Sequence, residues 1–464
     1  MSVRVRFAPS PTGHLHIGGL RTALFNWLFA KNNNGTFLVR IEDTDRERYT
    51  KEHEEAIIRS LEWTGINADE PLVYQFARQS FHKEALQKLL DSGKAYRCFC
   101  SAESLQKKRE EAEAAHGFYQ YDGTCRTADQ SSDQPHVIRF KVEVDREVLT
   151  FKDLVRNDVS LQRNQLDDFI VARTDGSVTY NFAVVEDDHF MKVSHVIRGE
   201  DHLLNSFKQI LMYQALGYEL PQFAHLPLIL SESGQKLSKR DAAVSVDEYK
   251  DGGYLPVALC NYLARLGWSH KDQELFTTNE LIKFFSLDNV QKKGAIFDID
   301  KLRWINSVHL QESEPAAVLK AATENINKNF EQEFSDWSLE TILHATKVYQ
   351  TRSHTLVELY DQIKLLYNAP ESYDPESLEQ WIDSQIKNFV QLLHEKLQAA
   401  IFEKSELMPI VKQFCKDQGI KMGQIAQPIR IALCGTASGP GLFDMLLVLG
   451  KEESLQRLEK LAKS

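Results

Sequence analysis

One stretch near the start of the chain restricts the fold more than any other. Val3, Val5 and Phe7 alternate with Arg4 and Arg6, the period of a half-buried strand. "APSPTGHLHIGG" follows, and its prolines and glycines interrupt both strand and helix. Leu20, Leu24, Trp27 and Leu28 then recur at helical spacing. "NNNG" at Asn32 to Gly35 stops that helix, since Asn or Gly can take the left-handed cap. Phe37, Val39 and Ile41 make a second strand that ends in "RIEDTDRER". Strand, glycine-rich loop, helix and strand form a βαβ unit, which predicts a parallel sheet with a right-handed crossover. Ligands of such sheets sit outside the carboxyl ends of the strands. The opening loop and "IEDTD" therefore belong to one site.

The rest of the chain adds further domains. Its 464 residues exceed one core, and ~150 residues per domain gives about three. With 42% hydrophobic and 26% charged residues it is ordinary globular material. No apolar run reaches the ~18 residues of a membrane span. The N-terminus lacks the apolar core of a signal peptide, so the expected location is cytoplasmic. A net charge of −11 argues against a general nucleic-acid coat but leaves room for a local positive face. Three of the six cysteines fall within residues 98–125, which is not a disulfide framework. Residues 95–185 read as an insertion of one polar helix and short strands. The βαβ character returns at "VSHVIRGEDHLLNS" and "FAHLPLILSESGQKLSKRD", and from about residue 310 apolar positions recur at i, i+3 and i+4.

Two segments carry candidate chemistry. Gly18 and Gly19 lack a Cβ, so a purine or phosphate can lie against their backbone. The following helix N-terminus is an anion seat, and His16 offers a ring N–H to a phosphate oxygen. Alone, this stretch also reads as a structural turn with surface histidines. "SGQKLSKRD" places Lys236, Lys239 and Arg240 in a Gly/Ser loop after an apolar strand; alone, it also reads as a solvated basic loop. No P-loop pattern occurs, so a nucleotide triphosphate would be held by a two-part clamp.

Together, His16-Ile17-Gly18-Gly19 and Lys236-Leu237-Ser238-Lys239-Arg240 resemble the HIGH and KMSKS signatures of class I aminoacyl-tRNA synthetases. "RFAPSPTGHLHIGGLRTAL", "LVRIEDTDRER", "YRCFC", "YDGTCR", "RTDGSVTYNF", "HVIRGEDH" and "GQIAQPIRIALCG" extend the resemblance, in order and nearly end to end, to bacterial-type glutamyl-tRNA synthetases. Gly19 stands where many class I members have a second histidine, a departure usual among the glutamate enzymes. The fold implied is α/β. A Rossmann-like catalytic domain over 1–94 and 186–240 carries an inserted acceptor-binding domain at 95–185. A stem-contact helical region at 241–315 and an all-α anticodon-binding region at 316–464 follow.

The activity implied is ATP-dependent formation of glutamyl-adenylate, then transfer of glutamate to the terminal ribose of tRNA(Glu), with Mg²⁺ accompanying ATP. The expected oligomeric state is a monomer. By resemblance, His16, Lys239 and Lys236 are catalytic. Pro9, Ser10, Thr12, Gly13, His16, Gly18, Gly19, Lys236, Ser238, Lys239 and Arg240 bind ATP. Arg6, Ser10, Glu42, Tyr180 and Arg198 bind glutamate, with Glu42 on the ammonium. Arg6 and Glu42 also read as a structural ion pair at the sheet edge. Cys98, Cys100 and Cys125 offer three thiolates to Zn²⁺. Thr127 stands where zinc-binding relatives often place histidine. Tyr121 or a water then completes the shell, or the three are ordinary buried thiols. His189, His195, His202 and His225 share no ligand spacing and are expected in surface or core roles. Two rival readings stay open: a non-catalytic tRNA-binding paralogue, against which the intact His16, Glu42 and Lys239 argue, and a small-metabolite adenylyltransferase, which leaves the helical C-terminus unexplained.

Overall fold

The computed structural model describes residues 2–116, 119–130, 133–237 and 245–464. It divides into two compact units, one of residues 1–248 and 260–298, the other of residues 249–259 and 299–464.

The first unit is built on the expected βαβ start. β1 (Arg4–Phe7) leads through the loop to α1 (Ile17–Asn32), and β2 (Thr36–Ile41) returns parallel to β1, with Arg6 opposite Leu38. α1 is buried over most of its circumference, through Leu20, Leu24, Phe25 and Leu28. Asn34, at φ 50°, makes the left-handed turn that stops it. α2 (Lys51–Trp63) leads to the two-residue β3 (Val73–Tyr74) and α3 (Gln79–Asp91).

β4 (Ala95–Cys98), α4 (Ala102–His116), β5 (Val137–Phe140), β6 (Val148–Asp153), β7 (Asn157–Gln162) and β8 (Ile170–Ala172) fill the segment expected to be an insertion. β4, β5 and β8 form their own antiparallel sheet. β6 and β7 form a hairpin that joins the edge of the main sheet, pairing with it at Asp153 and Phe223. α5 (Tyr180–Phe190), β9 (His195–Gly199), α6 (Leu203–Leu216) and β10 (Gln222–Leu226) complete the main sheet, ordered β3-β2-β1-β9-β10-β6-β7. β1 and β9 run parallel, but successive strands are added on opposite sides of this pair, a switch point where such sheets take ligands. Phe140, Phe169, Phe182, Val185, Phe207 and Tyr213 form the core that packs the small sheet against α5 and α6. β11 (Ile229–Leu230) pairs with β12 (Ala295–Ile296).

The second unit is helical among its described residues. Its helices include Leu339–Gln350, Leu356–Tyr367, Ser384–Gln398, Met422–Cys434 and Leu442–Lys463. Leu359, Ile363, Leu393, Leu397, Ile429 and Leu446 are fully buried, as the i, i+3, i+4 pattern requires. Arg457 is buried with them. It donates to the carbonyls of Leu366 (2.7 Å) and Tyr367 (2.9 Å), which end one helix, and to the carbonyl of Leu433.

Candidate active site

The phosphate-seat candidates lie on the loop between β1 and α1. His16 is the N-cap of α1, and its Nδ1 accepts the Gly19 N–H at 3.1 Å. With Nδ1 accepting, the neutral ring carries its proton on Nε2. Gly18 and Gly19 are required by this cap. A Cβ on Gly18 would lie 3.1 Å from the His16 ring, and one on Gly19 would lie 2.9 Å from Leu15. The close neighbours of both glycines are therefore side chains of their own loop. Gly13 has open space where a Cβ would stand. Pro9 is buried and its carbonyl accepts the Glu42 N–H at 2.9 Å, tying the loop to the end of β2. Ser10 and Thr12 are exposed.

The second segment meets this loop in sequence terms five residues after Arg240. Leu237 N–H donates to Ile229, and Lys236 forms a bridge with Leu230. Lys236 Nζ, exposed, lies 3.4 Å from Asp201 Oδ2. Ser238, Lys239 and Arg240 lie outside the described residues. Ser245 pairs with His16, Val246 N–H donates to the Leu15 carbonyl at 2.9 Å, and His14 meets Asp247 at 3.1 Å. The chain on either side of the Lys239 segment is thus held by β11 at one end and by the His16 loop at the other.

A polar band crosses the main sheet beside this loop. Arg40 on β2, Arg6 on β1, Arg198 on β9, His225 on β10 and Asp153 on β6 occupy adjacent strands. All five are buried. Arg6 and Glu42 do not pair. Arg6 Nε instead donates to both oxygens of Asp188 on α5, at 3.1 and 3.2 Å. Arg40 Nη1 donates to the same carboxylate at 2.5 Å, and its Nη2 reaches Glu42 at 3.1 Å. Burial opposes the charge of Arg40, but Asp188 and Glu42 outweigh it and raise its pKa. Burial likewise opposes ionisation of Asp188, yet Arg6 and Arg40 hold its carboxyl below the usual carboxylate range. In Glu42 burial prevails and its pKa rises. The neighbouring Asp187 is anchored separately, to Gln75, Arg78 and His82.

Arg198 donates from Nη2 to Ser206 (2.7 Å) and Gln209 (2.8 Å), and from Nε to His225 (3.3 Å). Its Nη1 is buried and has no hydrogen-bond partner among the described residues. Tyr180, the first residue of α5, is 37% exposed and has its hydroxyl 3.3 Å from His202 Nδ1. Burial, then the charge of Arg198, lowers the His202 pKa to about 4. Tyr180 also borders a cavity of about 790 Å³ whose lining includes Arg109, Arg139, Arg173, Lys208 and Tyr121.

The cysteines expected to bind metal converge. Cys98 closes β4, Cys100 follows it, and Cys125 lies on the turn Thr124–Thr127. Their three sulfurs lie within 4.8 Å of one another. The Tyr121 hydroxyl is 3.3 Å from Cys98 Sγ and 3.8 Å from Cys100 Sγ. Arg139 Nε donates to Cys98 Sγ at 3.3 Å, which favours the thiolate. Burial pushes Cys100 up to about 11. The three thiols fit three of the four positions of a tetrahedral structural zinc site, with the Tyr121 hydroxyl beside them.

The sequence reading missed Arg40, Asp188, Asp153 and the pairing of His225. Signals existed: an arginine inside the largely apolar "TFLVRI", and an Asp-Asp pair shortly after the apolar "FAVV". Both demand buried partners.

Parallel sheet, crossover order and the loop–helix seat are those of a Rossmann-like nucleotide-binding domain. Residues 2–304 match the model for tRNA synthetases class I (E and Q), catalytic domain, and residues 314–462 match that of an anticodon binding domain. The chain belongs to this family. A glutamate–tRNA ligase of Pelobacter propionicus is 44% identical over 460 residues, covering 99% of this chain and 98% of that protein. That of Geotalea uraniireducens is 44% identical with the same coverage. The crystal structure of a glutamate tRNA ligase from Elizabethkingia meningosepticum, in complex with its amino acid, superposes with a TM-score of 0.90 at 34% identity, covering all of both chains.

Proposed function

We propose that the chain attaches L-glutamate to tRNA(Glu), first forming glutamyl-adenylate from ATP and then transferring the glutamyl group to the terminal ribose. The observation that carries this reading is Arg198. Two of its nitrogens are committed to protein, and the third is buried without a partner on the same strip of sheet as Arg6 and Glu42. A guanidinium left so demands an anion. Arg198, with Arg6 on the neighbouring strand, supplies planar donors for the two carboxylates of glutamate. Glutamine would turn its NH₂ towards guanidinium donors with no acceptor, a mismatch able to discriminate by ~10⁴ or more.

Arg6 and Arg198 bind the two carboxylates, Glu42 the ammonium, and Ser10 and Tyr180 border the pocket. The α-carboxylate oxygen attacks the α-phosphorus, the bond to the bridging oxygen breaks, and pyrophosphate leaves with its electron pair. Positioning and charge stabilisation supply most of the rate. Pro9, Thr12, Gly13, Gly18 and Gly19 line the nucleotide, and His16 donates to a phosphate oxygen. Lys239, assisted by Lys236, Ser238 and Arg240, neutralises the leaving pyrophosphate. Mg²⁺ would arrive with ATP, bound mostly by phosphate and water.

The cationic and aromatic lining of the cavity beside Tyr180 suits the single-stranded 3′ end of tRNA. The helical second unit reads the anticodon. Cys98, Cys100 and Cys125, with Tyr121 or a water, would hold Zn²⁺, which ties the turn Thr124–Thr127 to β4 and takes no part in the reaction. No helix among the described residues is long and apolar enough to cross a membrane. We place the protein in the cytoplasm as a monomer.

The test is aminoacylation of purified tRNA(Glu). Glutamate is charged and glutamine is not. Equal charging of both, or charging with neither, rejects the assignment. Purified tRNA(Gln) as a second acceptor decides whether it too receives glutamate.

A further inference from the structure

His225 is one of three members of the polar band, with Arg40 and Asp153, that neither binding nor catalysis uses. It sits opposite Arg198 in the parallel pairing of β9 and β10 and is completely buried. Its Nδ1 lies 2.6 Å from Asp153 Oδ2, and its Nε2 lies 3.3 Å from Arg198 Nε and 3.0 Å from Ser206 Oγ. A guanidinium nitrogen only donates. His225 Nε2 must therefore present a lone pair, and the ring proton must sit on Nδ1, where the Asp153 carboxylate accepts it.

Asp153 is itself fixed. Its Oδ1 accepts the backbone N–H groups of Val155 (2.9 Å), Arg156 (2.7 Å) and His225 (3.3 Å). We propose that Asp153 and His225 are positioning residues for the amino-acid pocket: the carboxylate sets one tautomer of the imidazole, and that tautomer orients Arg198 so that Nη1 faces the substrate carboxylate. This rests on the reading of Arg198 as a carboxylate clamp.

A pH dependence follows. An imidazolium would present an N–H to the Arg198 N–H and set two cations in contact. The charged groups facing His225 are Asp153 on β6, Arg156 on the turn after it, Arg198 on β9 and, further off, His202. Only Asp153 favours protonation. Burial and the arginines oppose it, and the pKa is lowered. The neutral form thus holds through neutrality, and binding of glutamate weakens on acidification.

The tests are two near-isosteric variants assayed with the full chain and tRNA. In Asp153→Asn the Oδ1 contacts persist while the amide NH₂ donates to Nδ1, which drives the ring proton to Nε2, against Arg198. The expected result is a rise of about tenfold or more in KM for glutamate, the size of one charge-assisted hydrogen bond, with KM for ATP within about twofold. His225→Gln supplies an amide oxygen that accepts but does not titrate. It is expected to keep near-normal affinity at neutral pH and to flatten the acidic limb of kcat/KM for glutamate. A role in folding alone would lower the melting temperature without moving either readout. Folded Asp153→Asn with an unchanged KM for glutamate, or His225→Gln with the wild-type acidic limb, overturns the proposal. If Asp153→Asn does not fold, His225→Gln decides alone. Arg198→Lys separates the two levels. If it raises KM and Asp153→Asn does not, the positioning role is wrong and the clamp stands. If Arg198→Lys leaves KM unchanged, the clamp is wrong as well.

Discussion

Asp188 determines how two buried arginines point. It takes both Arg6 and Arg40, and Arg40 in turn holds Glu42, so two residues of the proposed glutamate pocket, Arg6 and Glu42, are arranged from one carboxylate. Removing one member of such a buried network costs about 3 kcal/mol or more, because the partners stay charged and buried. Asp188→Asn is therefore expected to lower stability by that order in a denaturant titration and to raise KM for glutamate more than KM for ATP. A variant that melts like the parent and binds glutamate equally contradicts this. The sign with pH is set by the depressed pKa of Asp188. Its contribution is complete above the ordinary carboxylate value of 3.8 and is lost as pH falls below it. At this scale the sequence was partly readable. Arg6, Glu42 and Arg198 stood out by type and by resemblance, but Asp188, the partner of Arg6, is 182 residues away and His225 meets Arg198 from the neighbouring strand, and spacing along the chain cannot reveal such pairs.

The elements were easier to read where one period dominates. The βαβ start follows from alternation, then helical spacing, then a left-handed asparagine. The C-terminal helices follow from their apolar stripes. The hairpin of β6 and β7 was not readable as part of the main sheet, because it joins at a single pair, Phe223 with Asp153, and its outer residues are exposed. The turn Thr124–Thr127 poses the sharpest question at this scale. Three thiols and a phenol meet there with no disulfide. Purified protein is expected to carry close to one equivalent of zinc, to lose it on Cys98→Ser, and to lose stability with it. Metal analysis giving less than about a tenth of an equivalent would mean ordinary thiols.

Across the whole chain, two parts separated by more than two hundred residues are proposed to serve one reaction. Leu15 and His16 on the opening loop pair with Ser245 and Val246, so the segment carrying Lys239 is bounded by contacts with the phosphate seat. The two motifs were visible in the sequence; their backbone connection was not, since it runs through Ser245, which carries no distinctive chemistry. The most direct test is ATP–pyrophosphate exchange, with glutamate and tRNA present, in Lys239→Ala. A single preorganised donor to transition-state charge is worth about 10²–10³ in rate. The expected outcome is a loss of that size or greater, with circular dichroism and glutamate affinity unchanged. Exchange at the parent rate in the folded variant would show that the two segments do not grip the triphosphate together.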